Sequence, residues 1–220
     1  GKCTRLDYDA SLQIRNAKRL AAEAAQDAYI ANMQASPRKS DKKAVVIGAG
    51  PAGISAALYL RRNGVEVTVL EKRSKPFGIV QYVIPEFRIP AAAMQRDYDM
   101  AVKAGVNFQF GVQVQNVAEL REQFDFVLVA TGAWKEGAPA VSEGQEHLRD
   151  ALEFLEESKR NQCNVALGKR VAVVGGGDVA MDCARAAVRA PGVEDVTLVY
   201  RRTRDFMPAE PEEIRLAIED

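Results

Sequence analysis

Several residue types on which particular protein classes depend are scarce in this sequence. Its 220 residues include 3 cysteines, which are far apart and odd in number, and no C-x-x-C pair. This pattern excludes a disulfide scaffold, argues against a thioredoxin-reductase-like dithiol, and favours a reducing, cytoplasmic location. The single histidine, His147, lies in a predicted helix, where a surface or packing role is expected.

The sequence also has neither an excess of charge of one sign nor a long apolar run. The 30 Lys and Arg residues balance the 30 Asp and Glu residues, which argues against a broad basic surface for nucleic acid. No apolar run approaches the roughly 18 residues that a transmembrane helix needs. Residues 1–5 lack the apolar core of a signal peptide. We therefore expect neither a nucleic-acid partner nor a membrane segment.

The N-terminal stretch differs in composition from the rest of the chain. Helix-forming residues dominate from Ser11 to Ala35, and apolar residues recur there at three- and four-residue steps. This pattern predicts an amphipathic helix that Asp9 or Ser11 caps. The polar residues 36–43, which include one proline, are typical of a linker.

A strand–helix–strand pattern follows the linker. An apolar run predicts a strand over 44–47 that is buried on both faces, and a helix over 51–63 ends at Gly64 before a strand over 65–70. Residues 72–90 are irregular. The later predicted elements are a helix over 91–104, an extended segment over 106–114, a short helix over 117–123 and a buried strand over 126–130.

A second unit repeats the pattern. Its predicted elements are a helix over 146–159, a strand over 170–174, a helix over 178–189, a strand over 196–200 and a helix over 210–220. The predicted fold class is therefore α/β, with two Rossmann-like dinucleotide-binding units and parallel sheets, preceded by an N-terminal helix. Such units normally have five or six strands, so we expect both to be incomplete and the chain to be a piece of a longer protein. Apolar faces exposed in such a piece would favour self-association.

The first glycine turn, residues 48–53, fits the pattern G-x-G-x-x-G between a strand and a helix. In such a turn Gly48 permits the tight bend, Gly50 lets backbone approach a pyrophosphate, and Gly53 lets the helix pack closely. Glu71 ends the next strand, where a carboxylate accepts hydrogen bonds from ribose hydroxyls and repels a 2′-phosphate. The pattern predicts a dinucleotide site without a 2′-phosphate, and FAD is the simplest ligand. A glycine-rich turn in some other α/β protein is the alternative.

The second glycine turn, residues 175–180, fits G-x-G-x-x-A and again lies between a strand and a helix. Its next strand ends in Arg201 and Arg202 rather than in an acid. Guanidinium groups pair well with phosphate, so this site favours NADPH over NADH, although a solvated strand end would also carry arginines. Asp178 and Arg185 could contact the cofactor, or could serve as a helix cap and a salt bridge on the helix face.

The two turns, together with the strand end Ala130-Thr131-Gly132 and the segment Met207-Pro208-Ala209, make the sequence resemble the glutamate synthase small-subunit family of FAD/NADPH oxidoreductases. The residues CTRLDYD at 3–9 and YVIPEFR at 82–88 resemble the selenate-reductase iron–sulfur subunits of that family. The resemblance implies a helical iron–sulfur tail over residues 1–38, the first part of an FAD domain over 39–137, and the first part of an NADPH domain over 138–220. Cys3 would be a ligand of a 4Fe-4S cluster only in a longer parent protein, since a cluster needs several thiolates.

The turns and the resemblance together give the candidate site residues. For FAD these are Gly48, Gly50, Pro51, Ala52, Gly53, Glu71, Lys72, Gly78, Ile79, Ala130, Thr131 and Gly132; for NADPH they are Gly175, Gly177, Asp178, Val179, Ala180, Arg201 and Arg202. The family usually has glycine where this chain has Phe77 and Val83. Both departures are expected to add a side chain where backbone would approach the flavin.

The resemblance implies hydride transfer from NADPH to FAD, and then electron transfer through iron–sulfur clusters to a partner subunit or domain. No acid–base residue is required for the hydride step, so no catalytic side chain is predicted. Two alternatives stay open at this point. One is a nucleotide-binding fragment without independent catalysis, and the other is a Rossmann-type group-transfer enzyme, which binding of adenosyl-methionine would reveal.

Overall fold

The chain's structure, a computed structural model, describes residues 3–134 and 143–220, so the predicted boundary between residues 137 and 138 lies outside the described residues. The strands are β1 (Lys43–Ile47), β2 (Glu66–Glu71), β3 (Asn107–Phe110), β4 (Phe126–Val129), β5 (Arg170–Val174) and β6 (Asp195–Val199). The helices are α1 (Ile14–Asn32), α2 (Pro51–Arg62), α3 (Ile79–Tyr82), α4 (Ala91–Lys103), α5 (Val117–Gln123), α6 (Ala151–Arg160), α7 (Asp178–Val188) and α8 (Pro211–Glu219). In this part of the chain no helix is both long and apolar enough to cross a membrane.

The first unit is a parallel sheet in the order β3-β2-β1-β4. Strand β1 has neighbours on both sides and helices against it, so Ala44, Val45 and Val46 are fully buried, as the apolar run predicts. The prediction that residues 126–130 form a buried strand is wrong in its burial. Strand β4 pairs only with β1 among the described residues, and Phe126 and Val129 stay 49% and 64% exposed.

Helices α2 and α4 pack on the first sheet. Helix α2 ends at Arg62, and Gly64 follows its C-cap with a φ of +86° that glycine adopts readily. The N–H of Val65 donates to the carbonyl of Leu60, a bond that closes the last turn of the helix. Strand β2 can therefore begin one residue later and pair with β1 along its whole length.

The second unit contains the parallel pair β5-β6, with α7 against one face. The other face is open among the described residues, since Val174 and Val199 are 69% and 46% exposed. Helix α6 begins at Ala151, not at residue 146 as predicted, because the side chain of Asp150 accepts a hydrogen bond from the N–H of Glu153 and caps the helix there. Residues 145–147 form a separate 3-10 turn.

Two further predictions need correction. Helix α1 begins at Ile14 rather than Ser11, and it has no side-chain cap, since Asp9 is paired with Arg5 instead. No residue of α1 is buried, so its apolar stripe has no core to cover in the described residues. The stretch predicted to be irregular contains the short helix α3, which lies against the second unit.

Candidate dinucleotide sites

The first glycine turn is built on the carboxyl end of β1. The N–H of Gly48 donates to the carbonyl of Leu70 at 2.8 Å, which extends the sheet by one residue. Gly48 has a φ of +104°, and a Cβ there would lie 2.5 Å from the carbonyl oxygen of Ala130. Only glycine fits this position, and the strand end with Thr131 and Gly132 lies beside the turn.

The other two glycines of the turn have different surroundings. A Cβ on Gly53 would overlap the carbonyl oxygen of Gly48, so that glycine lets α2 pack on β1. A Cβ on Gly50 would meet nothing within 4 Å. Pro51 begins α2, and Ala52 belongs to its first turn, where N–H groups have no partner within the helix. The open space at Gly50 thus adjoins a positive helix end, which suits a pyrophosphate.

Glu71 lies where the prediction places it, at the end of β2 beside the first glycine turn. Its carboxylate is buried and accepts hydrogen bonds from the N–H of Ala49 and the N–H of Arg73, both at 2.8 Å. A carboxylate has about four acceptor positions, so two remain for ribose hydroxyls. Lys72 follows it and is exposed.

A loop that contains Phe77 and Gly78 covers the first glycine turn. The N–H of Phe77 donates to the carbonyl of Ala49 at 2.7 Å, and a Cβ on Gly78 would lie 3.5 Å from the Cα of Gly50. The expected intrusion of side chains at Phe77 and Val83 is not seen. Both side chains are buried, Phe77 in the core of the first unit and Val83 in that of the second, and Phe77 keeps a φ of +72° that glycine would adopt more easily. Ile79 follows and packs partly against the second core.

The second glycine turn repeats the geometry of the first. The N–H of Gly175 donates to the carbonyl of Val199 at 2.9 Å. A Cβ on Gly177 would meet nothing within 4 Å, as at Gly50. The third position holds Ala180, whose Cβ would lie 3.1 Å from a Cβ on Gly175. The second turn thus has alanine at the position where the first turn requires glycine.

The middle glycine of the second turn, Gly176, is a site residue that the sequence reasoning missed. A Cβ there would lie 2.7 Å from the ring of Tyr200, so the ring lies directly on the turn. The hydroxyl of Tyr200 donates to the carbonyl of Phe206 at 2.9 Å, and the N–H of Ala209 donates to the carbonyl of Gly176 at 3.1 Å. These two bonds fasten the Met-Pro-Ala segment to the turn. In the sequence, the run of three glycines was the signal that could have pointed to Gly176.

Arg201 and Arg202 follow β6 at the same sheet end as the second glycine turn. Both are exposed, and neither makes an ion pair with any residue in the two described ranges. The guanidinium of Arg202 lies 5.8 Å from the centre of the Tyr200 ring. Two unneutralised cations beside an open glycine turn form a suitable site for an additional phosphate.

Asp178 and Arg185 both make structural contacts. The carboxylate of Asp178 accepts a hydrogen bond from the N–H of Glu210 at 3.0 Å, so it fastens the start of α8 rather than its own helix. The buried side chain of Arg185 bonds Asp220 at 2.5 Å and cannot reach a cofactor at the turn without breaking that pair. Val179, in the first turn of α7, is exposed.

Both turns fit a dinucleotide on the geometry alone, because each has at least one glycine that packing requires and one that faces open space beside a helix N-terminus. The described residues hold no group of three or more His, Cys, Asp and Glu side chains that could bind a metal. Cys3 lies at the amino end of the described chain, and an iron–sulfur cluster could use it only together with cysteines from elsewhere.

Polar contacts that the sequence did not predict join the two units. Arg73 bonds both carboxylate oxygens of Glu156, at 2.6 and 3.1 Å, and lies between the rings of Tyr82 and Trp134 at 4.3 and 4.4 Å. Hydrogen bonding to Glu156 raises the pKa of Arg73. Trp134 thus packs between the units. His147 is at the surface, and its Nε2 lies 3.5 Å from the carboxylate of Glu146.

Residues 42–220 match the model of a protein family described as pyridine nucleotide-disulphide oxidoreductase. The chain is 42% identical over 221 residues to YgfK of Escherichia coli K12, which is named as an oxidoreductase. The alignment covers 99% of this chain and 21% of that protein. It is 35% identical to the NADPH-Fe(3+) oxidoreductase subunit beta of Geobacter sulfurreducens, with 99% of this chain and 34% of that one covered. The chain therefore spans about a fifth to a third of these relatives.

A third relative bears on the predicted resemblance. The glutamate synthase [NADPH] small chain of Halomonas elongata is 37% identical over 82% of this chain and 41% of its own. Among solved structures, FprA from Mycobacterium tuberculosis matches with a TM-score of 0.65 and 22% identity, over 82% of this chain and 48% of that one. That likeness shows the fold alone. The resemblance to the glutamate synthase small subunit is confirmed, and the chain belongs to the pyridine nucleotide-disulphide oxidoreductase family.

Proposed function

We propose that this chain is the part of an NADPH-oxidising flavoprotein that holds two dinucleotides, FAD at the first glycine turn and NADPH at the second. The observation that carries the proposal is the duplicated turn with opposite chemistry at the end of the following strand. Glu71 offers two free acceptor positions beside one turn, and Arg201 with Arg202 offers cations beside the other. A ribose with free hydroxyls suits the first, and a 2′-phosphate suits the second.

Bound FAD supplies a hydride acceptor that can also release electrons one at a time. The residues of this chain would bind and orient the two dinucleotides. When dinucleotides bind, the N–H groups at the start of α2 and α7 would hold the two pyrophosphates, and the open space at Gly50 and Gly177 would leave room for them. Gly78 and the strand end at Ala130 and Thr131 lie against the first turn. None of these contacts requires a side chain that gains or loses a proton.

The finer parts of the proposal rest on the relatives. The printed name of the Geobacter relative supports NADPH as the electron donor and a second subunit as the partner. We assign residues 1–38 to the tail of an iron–sulfur domain, 39–137 to the FAD domain and 138–220 to the NADPH domain. Electrons would leave through 4Fe-4S clusters held mainly outside this chain, with Cys3 as one thiolate. The three dispersed cysteines suit a cytoplasmic protein.

Two matched variants test the assignment of the sites. Gly50→Ala and Gly177→Ala each add one methyl group to open space in an ordinary backbone conformation, with φ of −70° and −96°. We expect Gly50→Ala to weaken FAD binding about tenfold or more and to leave NADP⁺ binding unchanged, and Gly177→Ala to do the reverse. Isothermal titration with each dinucleotide gives both constants. Loss of the same ligand in both variants would contradict two separate sites.

The alternative of a nucleotide-binding fragment without catalysis predicts the same binding results but no reduction of bound flavin by NADPH. The group-transfer alternative has no support in the family match, which is to oxidoreductases.

A further inference from the structure

The connecting segment, residues 77–90, runs from one glycine turn to the helix of the other. At its start Gly78 lies against Gly50 of the first turn, where its Cβ would be 3.5 Å from the Cα of Gly50. Near its end Arg88 enters the second unit and bonds α7 and α8. The segment is therefore a direct physical connection between the two sites.

Arg88 is held by two acids from two different helices. Its Nη1 donates to both carboxylate oxygens of Asp182, at 3.1 and 3.0 Å, and its Nη2 donates to Glu213 at 2.8 Å. The carboxylates are enclosed, with side chains 5% and 16% exposed, and the arginine side chain is 25% exposed. A planar guanidinium that bonds two acids on α7 and α8 fixes direction as well as distance.

The charges around Arg88 balance. Arg185 lies 3.7 Å from Glu213, and both Arg185 and Arg189 bond Asp220. Burial acts to lower the pKa of Arg88. The hydrogen bond to Asp182 and the attraction to Asp182 and Glu213 outweigh burial, so the pKa of Arg88 is raised. The pKa of Asp182 is raised, chiefly by burial, although the hydrogen bond and the attraction to Arg88 act to lower it. Without Arg88, two enclosed carboxylates would face each other with one cation too few.

The position of Asp182 on α7 connects this clamp to the second site. Asp182 lies four residues after Asp178, on the same face of α7 and one turn from the end that faces the second glycine turn. The connecting segment is held a second time by α6, where Nζ of Lys159 donates to the carbonyls of Val80 and Ile84 at 2.9 and 2.6 Å. Movement of α7 would therefore move the second turn relative to Gly78 and Gly50.

We propose that Arg88 is a positioning residue, and that its clamp on Asp182 and Glu213 sets the separation between the nicotinamide and the flavin. The proposal rests on the proposed function, because it assumes a dinucleotide at each turn. Arg88 touches neither glycine turn, so its removal changes geometry between the sites rather than the contacts within either one.

The test compares Arg88→Met and Arg88→Lys with a control, Arg215→Met, which breaks an exposed Arg–Glu pair on α8. In Arg88→Met we expect anaerobic flavin reduction at saturating NADPH to slow about 10- to 100-fold, since a misplacement of roughly 1 Å can cost about 100-fold. Dissociation constants for FAD and NADP⁺ should change less than about threefold. Arg88→Lys keeps the charge but loses the planar guanidinium that bonds both acids, so its rate of flavin reduction should be intermediate. The rate of the control should match that of the wild type.

A readout independent of activity is the emission of Trp134, the single tryptophan, which packs against Arg73 and lies beside Gly78 at the start of the connecting segment. Acrylamide should quench it more strongly in Arg88→Met than in the wild type or the control. If Arg88→Met does not fold, Glu213→Gln replaces it, since this variant keeps the size of the Glu213 side chain and removes its charge. Flavin reduction should slow to the same extent in Glu213→Gln, with cofactor binding retained.

Three results would overturn the positioning role. Reduction at the wild-type rate in Arg88→Met or Glu213→Gln would do so, as would a loss that appears only as weaker binding of one dinucleotide, or unchanged quenching of Trp134. A wild-type chain that binds both dinucleotides but shows no reduction would instead refute the proposed function, and the proposal with it.

Discussion

The strongest test of the first site separates two glycines three residues apart. At Gly53 a new Cβ would overlap the backbone carbonyl of Gly48 and lie 3.3 Å from Cγ1 of Val46, and neither can move without shifting β1 or α2. Overpacking of this kind costs about 1–3 kcal/mol, and a backbone contact favours the upper end. At Gly50 the space is open and φ is −70°, so Gly50→Ala should stabilise the chain by about 0.4–1 kcal/mol through the unfolded state.

Urea unfolding followed by circular dichroism measures the two stabilities, and quenching of flavin fluorescence measures FAD binding. We expect Gly53→Ala to lose about 3 kcal/mol of stability. Gly50→Ala should gain about 0.4–1 kcal/mol of stability and lose FAD affinity by about 1.4 kcal/mol, a factor of ten, or more. Equal stability losses in the two variants, or full FAD binding by Gly50→Ala, would refute the assignment of a packing role to one glycine and a ligand-facing role to the other.

Three further predictions concern charge. Replacing Arg201 and Arg202 together by Gln should weaken NADPH binding by about 1.5–3 kcal/mol, the value of a hydrogen bond to a charged group, and change NADH binding little; parallel titrations decide. Glu71→Gln places an amide against two backbone N–H donors, so we expect a stability loss of about 1–3 kcal/mol with weaker FAD binding, and unchanged unfolding would contradict the two bonds. Two guanidinium groups lower the pKa of Asp220 from 3.8 to about 2. The ionised Asp220 carboxylate therefore contributes its full share to the free energy of unfolding above pH 3.8, and this contribution is lost as pH falls toward about 2. The stabilities of the wild type and Asp220→Asn should converge at the acid end. A difference in stability that stays constant with pH would count against the ion pairs of Asp220 with Arg185 and Arg189.

The features predicted from sequence are those with local signals. The apolar run of β1, the glycine at the end of α2 and both glycine turns depend on residues within a few positions of each other, so sequence patterns find them. The start of α6 was within reach as well, since Asp150 followed three residues later by Glu153 is a capping pattern.

Features that depend on distant residues were missed. Arg88 bonds Asp182 and Glu213, which are 94 and 125 residues away, and arginines and acids in a sequence are more often solvated. The exposure of β4 and of one face of β5-β6 depends on which neighbours lie beside them, which strand composition does not reveal. The left-handed conformation of Phe77 is unexpected for an aromatic residue and is held by burial of its side chain.

The most direct test of the two-site account is the visible spectrum of the purified chain with FAD, recorded without oxygen before and after NADPH is added. The account predicts a protein-bound flavin spectrum that bleaches with NADPH and much more slowly with NADH, because only the second glycine turn has Arg201 and Arg202 beside it. A bound flavin that NADPH does not bleach, or one that NADH bleaches equally fast, would contradict it.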